Sequence, residues 1–407
     1  MFKQTFNKLQ ALRFKHFTRN GYALFNCIGK EVLICTLSVT TLTYAKAEGI
    51  SVKDAAAADS LGHQEVKLDE VIVTGSRAPL TAIQSAKIVS VITRDDIDRA
   101  PAETVNDLLK LAIGADVRQR GSFGVQTDIS INGGTSDQIT ILLNGINISS
   151  PQTGHNAADF PVDMADIERI EILEGSSARV FGSSAFNGAI NIVTKREKRT
   201  GARLSAEGGS FGTWGVNGRV SVATGAVTNS VSGGYRQSDG GTLHSDFKRR
   251  QMFYQGDLAS QHIDLQWQVG LSSQDFGANT FYSAKFNDQF EATRRYLTSL
   301  SGTIKPFDTD WLTLVPQLYW HRDYDHYQLI RGKEGAAAGE NYHRTDVYGG
   351  GMTANLRWLL GTTSVGADIR REHIVSTAYG DELSEDEWIN ISGSDRKYSR
   401  RGDRTNT

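Results

Sequence analysis

The side chains able to do chemistry are present in this chain, but they do not converge. Nine histidines are scattered without the i, i+4 spacing that sets a metal-binding pair on one helix face. His321, His326 and His343 gather around a single predicted loop, too loosely for a haem or metal site. The acid run DELSEDE at 381–387 offers Asp381, Glu385 and Asp386 as oxygen ligands for Ca²⁺, although such a run on a long loop is ordinarily only solvated. GSSARVFGSS at 175–184 lacks the lysine of a phosphate loop and the spacing of a nucleophile elbow. RGD at 401–403 is expected by chance in a segment of this composition. No Ser/His/Asp set or pair of acids is evident, so an enzyme is not expected. Binding or transport remains.

The elements that position these residues follow from composition and periodicity. With 44 Lys and Arg against 46 Asp and Glu, the chain lacks the basic excess that collects phosphate backbones; nucleic acid is not an expected partner. The 41 glycines, six prolines and four methionines, with a mean hydropathy of -0.35, describe strands and turns better than helices. Lysines and arginines run from Lys3 to Lys30, followed by the apolar stretch Val32 to Tyr44 and the small-x-small site Ala45-Lys46-Ala47. That order reads as an export signal with a long basic lead, residues 1–47. Both cysteines, Cys27 and Cys35, lie within it. The exported chain then has no thiol for disulfides, zinc or nucleophilic catalysis.

From Ala202 onward the sequence alternates with period two in runs of about ten residues. Trp214, Val216, Gly218, Val220 and Val222 share one face of a strand while Asn217, Arg219 and Ser221 share the other. Ile263, Leu265, Trp267, Val269 and Leu271 oppose Asp264, Gln266 and Gln268 in the same way. From 224 onward, tight turns alternate with long polar loops at 238–248, 274–292, 322–344 and 375–396. A membrane barrel has short turns on one rim and long loops on the other; a soluble sandwich has no reason to keep that parity. Trp214, Trp267, Trp320 and Trp358 fall on the apolar face, where an aromatic girdle lies. Arg219, Arg236, Gln266, Gln268, Asp368 and Arg370 would line a wet interior.

Residues 86–198 predict a small α+β domain: a strand at 88–92, a helix in PAETVNDLLKLA with Pro101 near its start, and strands in DISING, QITILLNGINIS, RIEILEG and AINIVTK. The stretch PVDMADIERIEILEGSSARVFGSSAFNGAINIVTK (161–195), with RQRGSFGVQTDISINGG and ITILLNGINI upstream, resembles the plug domain of TonB-dependent outer-membrane receptors. LDEVIVTGSR at 68–77 is similar to that family's TonB box. Two departures stand out. Glu174-Gly175-Ser176 replaces a usual basic residue, Gly and Pro, and Asn132 stands where Arg-Gly is common.

The resemblance implies a mainly β fold: an N-terminal α+β plug at 86–198 within a transmembrane antiparallel β-barrel beginning at 199. Nine or ten strands are legible where a barrel wide enough for a plug has about 22, so a truncated piece of a longer protein is expected, in a Gram-negative, Bacteroidetes-like outer membrane among its lipids. It implies that Asp69, Glu70, Val71, Ile72, Val73, Thr74 and Gly75, on a flexible periplasmic segment at 48–85, pair as an added strand with a TonB-type periplasmic energy-coupling protein. It implies import of a small metal chelate, cobalamin being favoured by the wording of GINISSPQTGHNAADFPVD, with a ferric siderophore as the alternative and a secreted adhesin a more distant one. Candidate contacts are the plug-apex residues Ser122, Phe123, Gln126, Ser149, Gln152, His155 and Asn156, with Phe276, Phe281 and Tyr282 closing from loops. No resident cofactor is expected, Ca²⁺ in outer loops aside.

Overall fold

The fold is that of a computed structural model, which describes residues 72–73, 80–81, 89–155, 159–175, 181 and 185–380. The signal segment 1–47, most of 48–85, Asn156 and the acid run from Asp381 lie outside the described residues, as does the tenth strand expected near Arg396.

The first domain is built on a five-stranded sheet in the order β3 (Val89–Ile92), β8 (Ile167–Glu174), β9 (Gly188–Thr194), β6 (Ile139–Leu143), β7 (Ile146–Asn147). All its pairings are antiparallel except β6 with β9. The parallel pair is central, and β6, Ile-Thr-Ile-Leu-Leu, is buried at every position. That is why it reads as an unbroken apolar run rather than an alternation. Asn144 and Gly145 join β6 to β7, both with positive φ (51° and 80°), the two-residue turn that an Asn-Gly pair favours. At Gly188 the backbones of β8 and β9 meet so closely that a β-carbon would lie 2.3 Å from the Leu173 carbonyl oxygen.

Two short helices cover the sheet. α1 (Arg94–Arg99) is started by Thr93 and Asp96 in a reciprocal capping box, and α2 (Val105–Leu109) by Thr104 and Asp107 in the same way. Thr104 therefore caps α2, and Pro101 and Glu103 precede it rather than opening it. Val105, Leu108 and Leu109 face inward as their spacing predicts, Leu108 and Leu109 fully buried; truncating either to Ala would cost about 2–5 kcal/mol. A separate hairpin, β4 (Ala115–Gln119) with β5 (Thr127–Ile131), carries the tip 120–126. β4 was not predicted, since ADVRQ is short and offers only two apolar residues, Ala115 and Val117, to its half-buried face. The two departures from the family pattern meet here: Asn132, at φ 50°, donates to the Glu174 carboxylate at 3.0 Å.

Residues 201–376 form one nine-stranded antiparallel meander, β10 (Gly201–Gly208), β11 (Trp214–Thr224), β12 (Val227–Ser238), β13 (Phe247–Ala259), β14 (Ile263–Gly277), β15 (Phe290–Ile304), β16 (Leu312–Gln328), β17 (Glu340–Trp358) and β18 (Gly361–Ser376). Its two faces are inverted relative to a soluble protein. Val216, Val220, Val222, Val269, Leu300, Leu318 and Met352 are exposed, while Arg219, Ser232, Gln255, Gln268, Glu291, Arg295 and Asp323 are buried. The polar face wraps the first domain, which it contacts strand after strand from β11 to β18. Trp214 opens β11 at the long-loop end and Trp358 closes β17 at the short-turn end; Trp267 and Trp320 lie between these levels.

The loops at 278–289 and 329–339 are shorter than 274–292 and 322–344 predict, because β14 to β17 run beyond the alternating band. There the outer face turns polar too, so periodicity no longer marks a strand. β16 and β17 are 17 and 19 residues long, where about 9–11 cross a bilayer.

Candidate functional site

The first domain is held in the concavity by side chains from nearly every strand. At the short-turn end, Arg196 reaches Asp257 at 2.9 Å and Asp264 at 2.7 Å. In the middle, Asp166, buried to 1 % exposure, meets the Arg219 guanidinium at 2.5 Å and accepts from the Ser232 hydroxyl at 2.8 Å. Burial pushes the Asp166 carboxyl above its ordinary value against the pull of Arg219, the mark of a pair whose desolvation is not fully offset. Asn144 donates to Gln268 at 3.1 Å, and the Arg295 guanidinium donates to the Asp159 carbonyl at 2.8 Å. Gly270 is bare where Pro161 touches the wall: a β-carbon there would lie 2.9 Å from Pro161 Cβ.

The long-loop end is the candidate binding face. A cavity of about 880 Å³ opens between the β4–β5 tip and the loops 239–246 and 278–289, with Arg118, Arg120, Ser122, Thr242, Asp246 and Phe281 in its lining. Of the predicted residues, Ser122 and Phe281 line it directly. Phe123, at φ 55°, turns its ring onto Phe247 at 5.3 Å beneath the Arg236 guanidinium.

Gln126 and Tyr282 are brought together. The Gln126 amide donates to the Tyr282 hydroxyl and to Glu291 at 3.1 Å, and Tyr282 donates to the same carboxylate at 2.5 Å. Burial first, then Glu291, pushes the Tyr282 phenol well up, so it stays a donor. Arg120 completes the clasp, donating to the Phe281 carbonyl at 2.7 Å and pairing with Asp128 at 3.2 Å; His155 Nδ1 contacts that carboxylate too. Loop 278–289 is thus fastened onto the apex at two points.

The other predicted residues take other positions. Gln152 donates to Asp325 at 2.6 Å and so binds plug to wall. The Ser149 hydroxyl accepts from the Ile141 amide at 2.9 Å, which commits it to holding β6. Phe276 is 2 % exposed in a small core with Val125, Phe247 and Ala278, beneath the cavity rather than in it. His321 and His326 lie on opposite faces of β16: His321 is fully buried beside Asp323, and His326 stacks on Tyr342 at 4.1 Å. Among the described residues no three His, Cys, Asp or Glu side chains gather as a metal site. Arg120, Asp128 and Glu291 were not singled out from sequence. Arg120 and Asp128 flank the predicted 122–126, but nothing in spacing joins them to Glu291, more than 150 residues away.

Loops 239–246 and 329–339 are tied together as well. Arg331 makes a bidentate pair with Asp246 at 2.7 and 2.9 Å. Burial alone would raise the Asp246 carboxyl, but the bonds from Arg331 outweigh it and hold it below its ordinary value.

Comparison with known proteins matches residues 81–189 to the TonB-dependent Receptor Plug Domain. The vitamin B12 transporter BtuB of Vibrio cholerae serotype O1 is 34 % identical over 145 residues, covering 35 % of this chain and 23 % of that protein. The protein of the same name from Photobacterium profundum is 32 % identical over 216 residues, covering 51 % and 33 %. Among solved structures, the siderophore receptor PiuA from Acinetobacter baumannii superposes with a TM-score of 0.59 at 15 % identity, covering 76 % of this chain and 48 % of that one. The ferric citrate transporter FecA in the unliganded form gives 0.58 at 16 %, covering 78 % and 52 %. The chain thus spans a quarter to a third of those curated relatives and about half of those structures, which establish the fold of plug and barrel wall.

Proposed function

We propose that this chain, which belongs to the TonB-dependent receptors, works as part of an energy-coupled importer in a Gram-negative outer membrane, of the Bacteroidetes-like kind its loop wording suggests. The observation that carries the reading is the inverted wall: an apolar outer face and a polar inner face filled by a hydrogen-bonded plug. Backbone can cross lipid as strands only when their bonds are satisfied within a barrel, and a plugged barrel passes a large solute only if something displaces the plug. The displacing element is the segment around 69–75. Its described part, β1 (Ile72–Val73), pairs with β2 (Leu80–Thr81), and among the described residues that pair is apart from the plug sheet. Exchanging that partner for a strand of a TonB-type periplasmic protein would give backbone hydrogen bonds along the whole box.

The cargo that the reading favours is a cobalamin-type chelate, on the strength of the curated relatives' names and the apex wording. It would seat in the cavity over Ser122 and Phe281, with loop 278–289 as its cover. Ligand contact at the apex that favours a plug with a released box would bias the two states, as differential binding requires.

The test is Val71→Pro, which removes a backbone donor from the paired strip. Surface binding of labelled cobalamin should persist while uptake is lost. Normal uptake by this variant would overturn the assignment of the box, and binding of ferric chelates in place of cobalamin would overturn the cargo.

A further inference from the structure

The outer face of the wall is not flush. A concavity of about 710 Å³ lies on it, walled by Trp267, Leu300, Leu318, Trp320, Tyr348 and Ile369 from five consecutive strands. Trp267, Leu300, Leu318, Gly350 and Ile369 stand opposite one another in one row across β14 to β18. Gly350 is the gap in that row, and a β-carbon there would press on Leu318 at 3.0 Å. Leu318 and Ile369 are 59 % and 79 % exposed.

Toward the long loops the concavity ends on Trp320, Tyr348 and Arg371, the next row up. Arg371 is exposed and has no ion-pair partner among the described residues. Beyond it the outer face carries guanidinium groups held in ion pairs. Arg322 and Arg344 share Asp346 at 2.6 and 3.8 Å, Arg294 and Arg250 share Asp275 at 2.6 and 3.5 Å, and Arg322 lies over the Trp320 ring at 5.6 Å. Four arginines on this face thus share two aspartates, where the apolar rows give way to polar ones, and Arg371 stands at the boundary.

We infer that this groove is a specific site for an anionic, phosphate-bearing membrane lipid, one acyl chain lying over Gly350 and the phosphate on Arg371. The inference rests on reading the sheet as a membrane wall. An acyl chain gains little by leaving other lipid for an apolar wall, because lipid tails are as apolar as leucine. Selectivity must therefore come from the groove's shape and from the cation at its mouth, where a guanidinium can hold phosphate through two hydrogen bonds.

The test is lipid retention by the intact protein in nonionic detergent, counted as adducts in native mass spectrometry after adding phosphatidylglycerol or phosphatidylcholine. Wild-type protein should keep phosphatidylglycerol roughly fivefold better, the effect of one basic residue at a membrane surface. Arg371→Gln should bring that ratio to about one, and Gly350→Leu, which fills the groove, should lower retention of both lipids. A heat-dependent gel shift shows that each variant is folded. Equal retention of the two lipids by wild type, or an unchanged ratio in Arg371→Gln, overturns the site. Failure of the wild-type protein to insert into vesicles at all would instead overturn the membrane reading beneath it.

Discussion

Replacing Arg219 by Gln isolates the energetics of the plug's central anchor. Asp166 and Arg219 are both almost wholly buried, so removal of the guanidinium leaves a carboxylate held by the Ser232 hydroxyl and its own capping bond to the Asp163 amide. Breaking one half of a buried pair costs about 3–5 kcal/mol, whereas neutralising both halves is close to neutral when hydrogen bonding survives. Asp166→Asn with Arg219→Gln keeps an acceptor for Ser232 and a donor facing it, so the double variant should fall within about 1 kcal/mol of wild type. The readout is hydrogen exchange at the Lys195 amide, which donates to the Asp166 carbonyl at 2.7 Å. A loss of about 3 kcal/mol raises the population of the locally opened state, and with it the exchange rate, roughly 150-fold. The cost should shrink as pH falls. A carboxyl whose folded pKa is raised destabilises the fold above that pKa and recovers stability as it takes up its proton. The reasoning is refuted if the single variant exchanges within threefold of wild type, or if the double variant is as fast as the single.

Two further outcomes follow from the outer clasp. Tyr282→Phe removes the hydroxyl shared by Gln126 and Glu291 and should cost about 1–3 kcal/mol, seen as at least about fivefold faster amide exchange in 278–289 with 239–246 unchanged. The Asp246 to Arg331 tie has the opposite pH dependence to Asp166. A carboxyl held below its ordinary value lends stability that is complete above about pH 4 and lost as pH falls through the lowered pKa. A spin-label distance between loops 239–246 and 329–339 should therefore stay constant from about pH 5 to 8 and lengthen only below about pH 4.

The wall was legible because lipid on one side and a polar interior on the other impose a strict alternation, as in Trp214 to Val222. The same physics set its limit. Where Arg322, Asp346 and their neighbours put charge on the outer face, alternation ends although pairing continues, and the loops were predicted too long. In the plug, the apolar run of β6 and the Asn-Gly turn stood out, whereas ADVRQ did not, because its inward face offers only Ala115 and Val117 as apolar residues, half-buried against the core. α2 was placed too early because Pro101 fits a helix start on propensity, and the reciprocal Thr104 and Asp107 bonds decided otherwise.

The candidate site was legible by segment and not by contact. Sequence marked 122–126 and 281–282, but the Arg120, Asp128 and Glu291 partners come from elements whose proximity only the wrapped sheet creates. Ser149 and Phe276 show the converse: a loop hydroxyl and an aromatic that suit a ligand equally suit a backbone amide and a small core.

The most direct test is a disulfide between Pro161→Cys and Gly270→Cys in cells. The two sites face each other across plug and wall, with β-carbons close enough for a bond after a shift of about 1 Å. The bond should form in the folded protein, the locked protein should still bind its chelate but not import it, and reduction should restore uptake. Uptake that continues through the locked protein would contradict the proposed function.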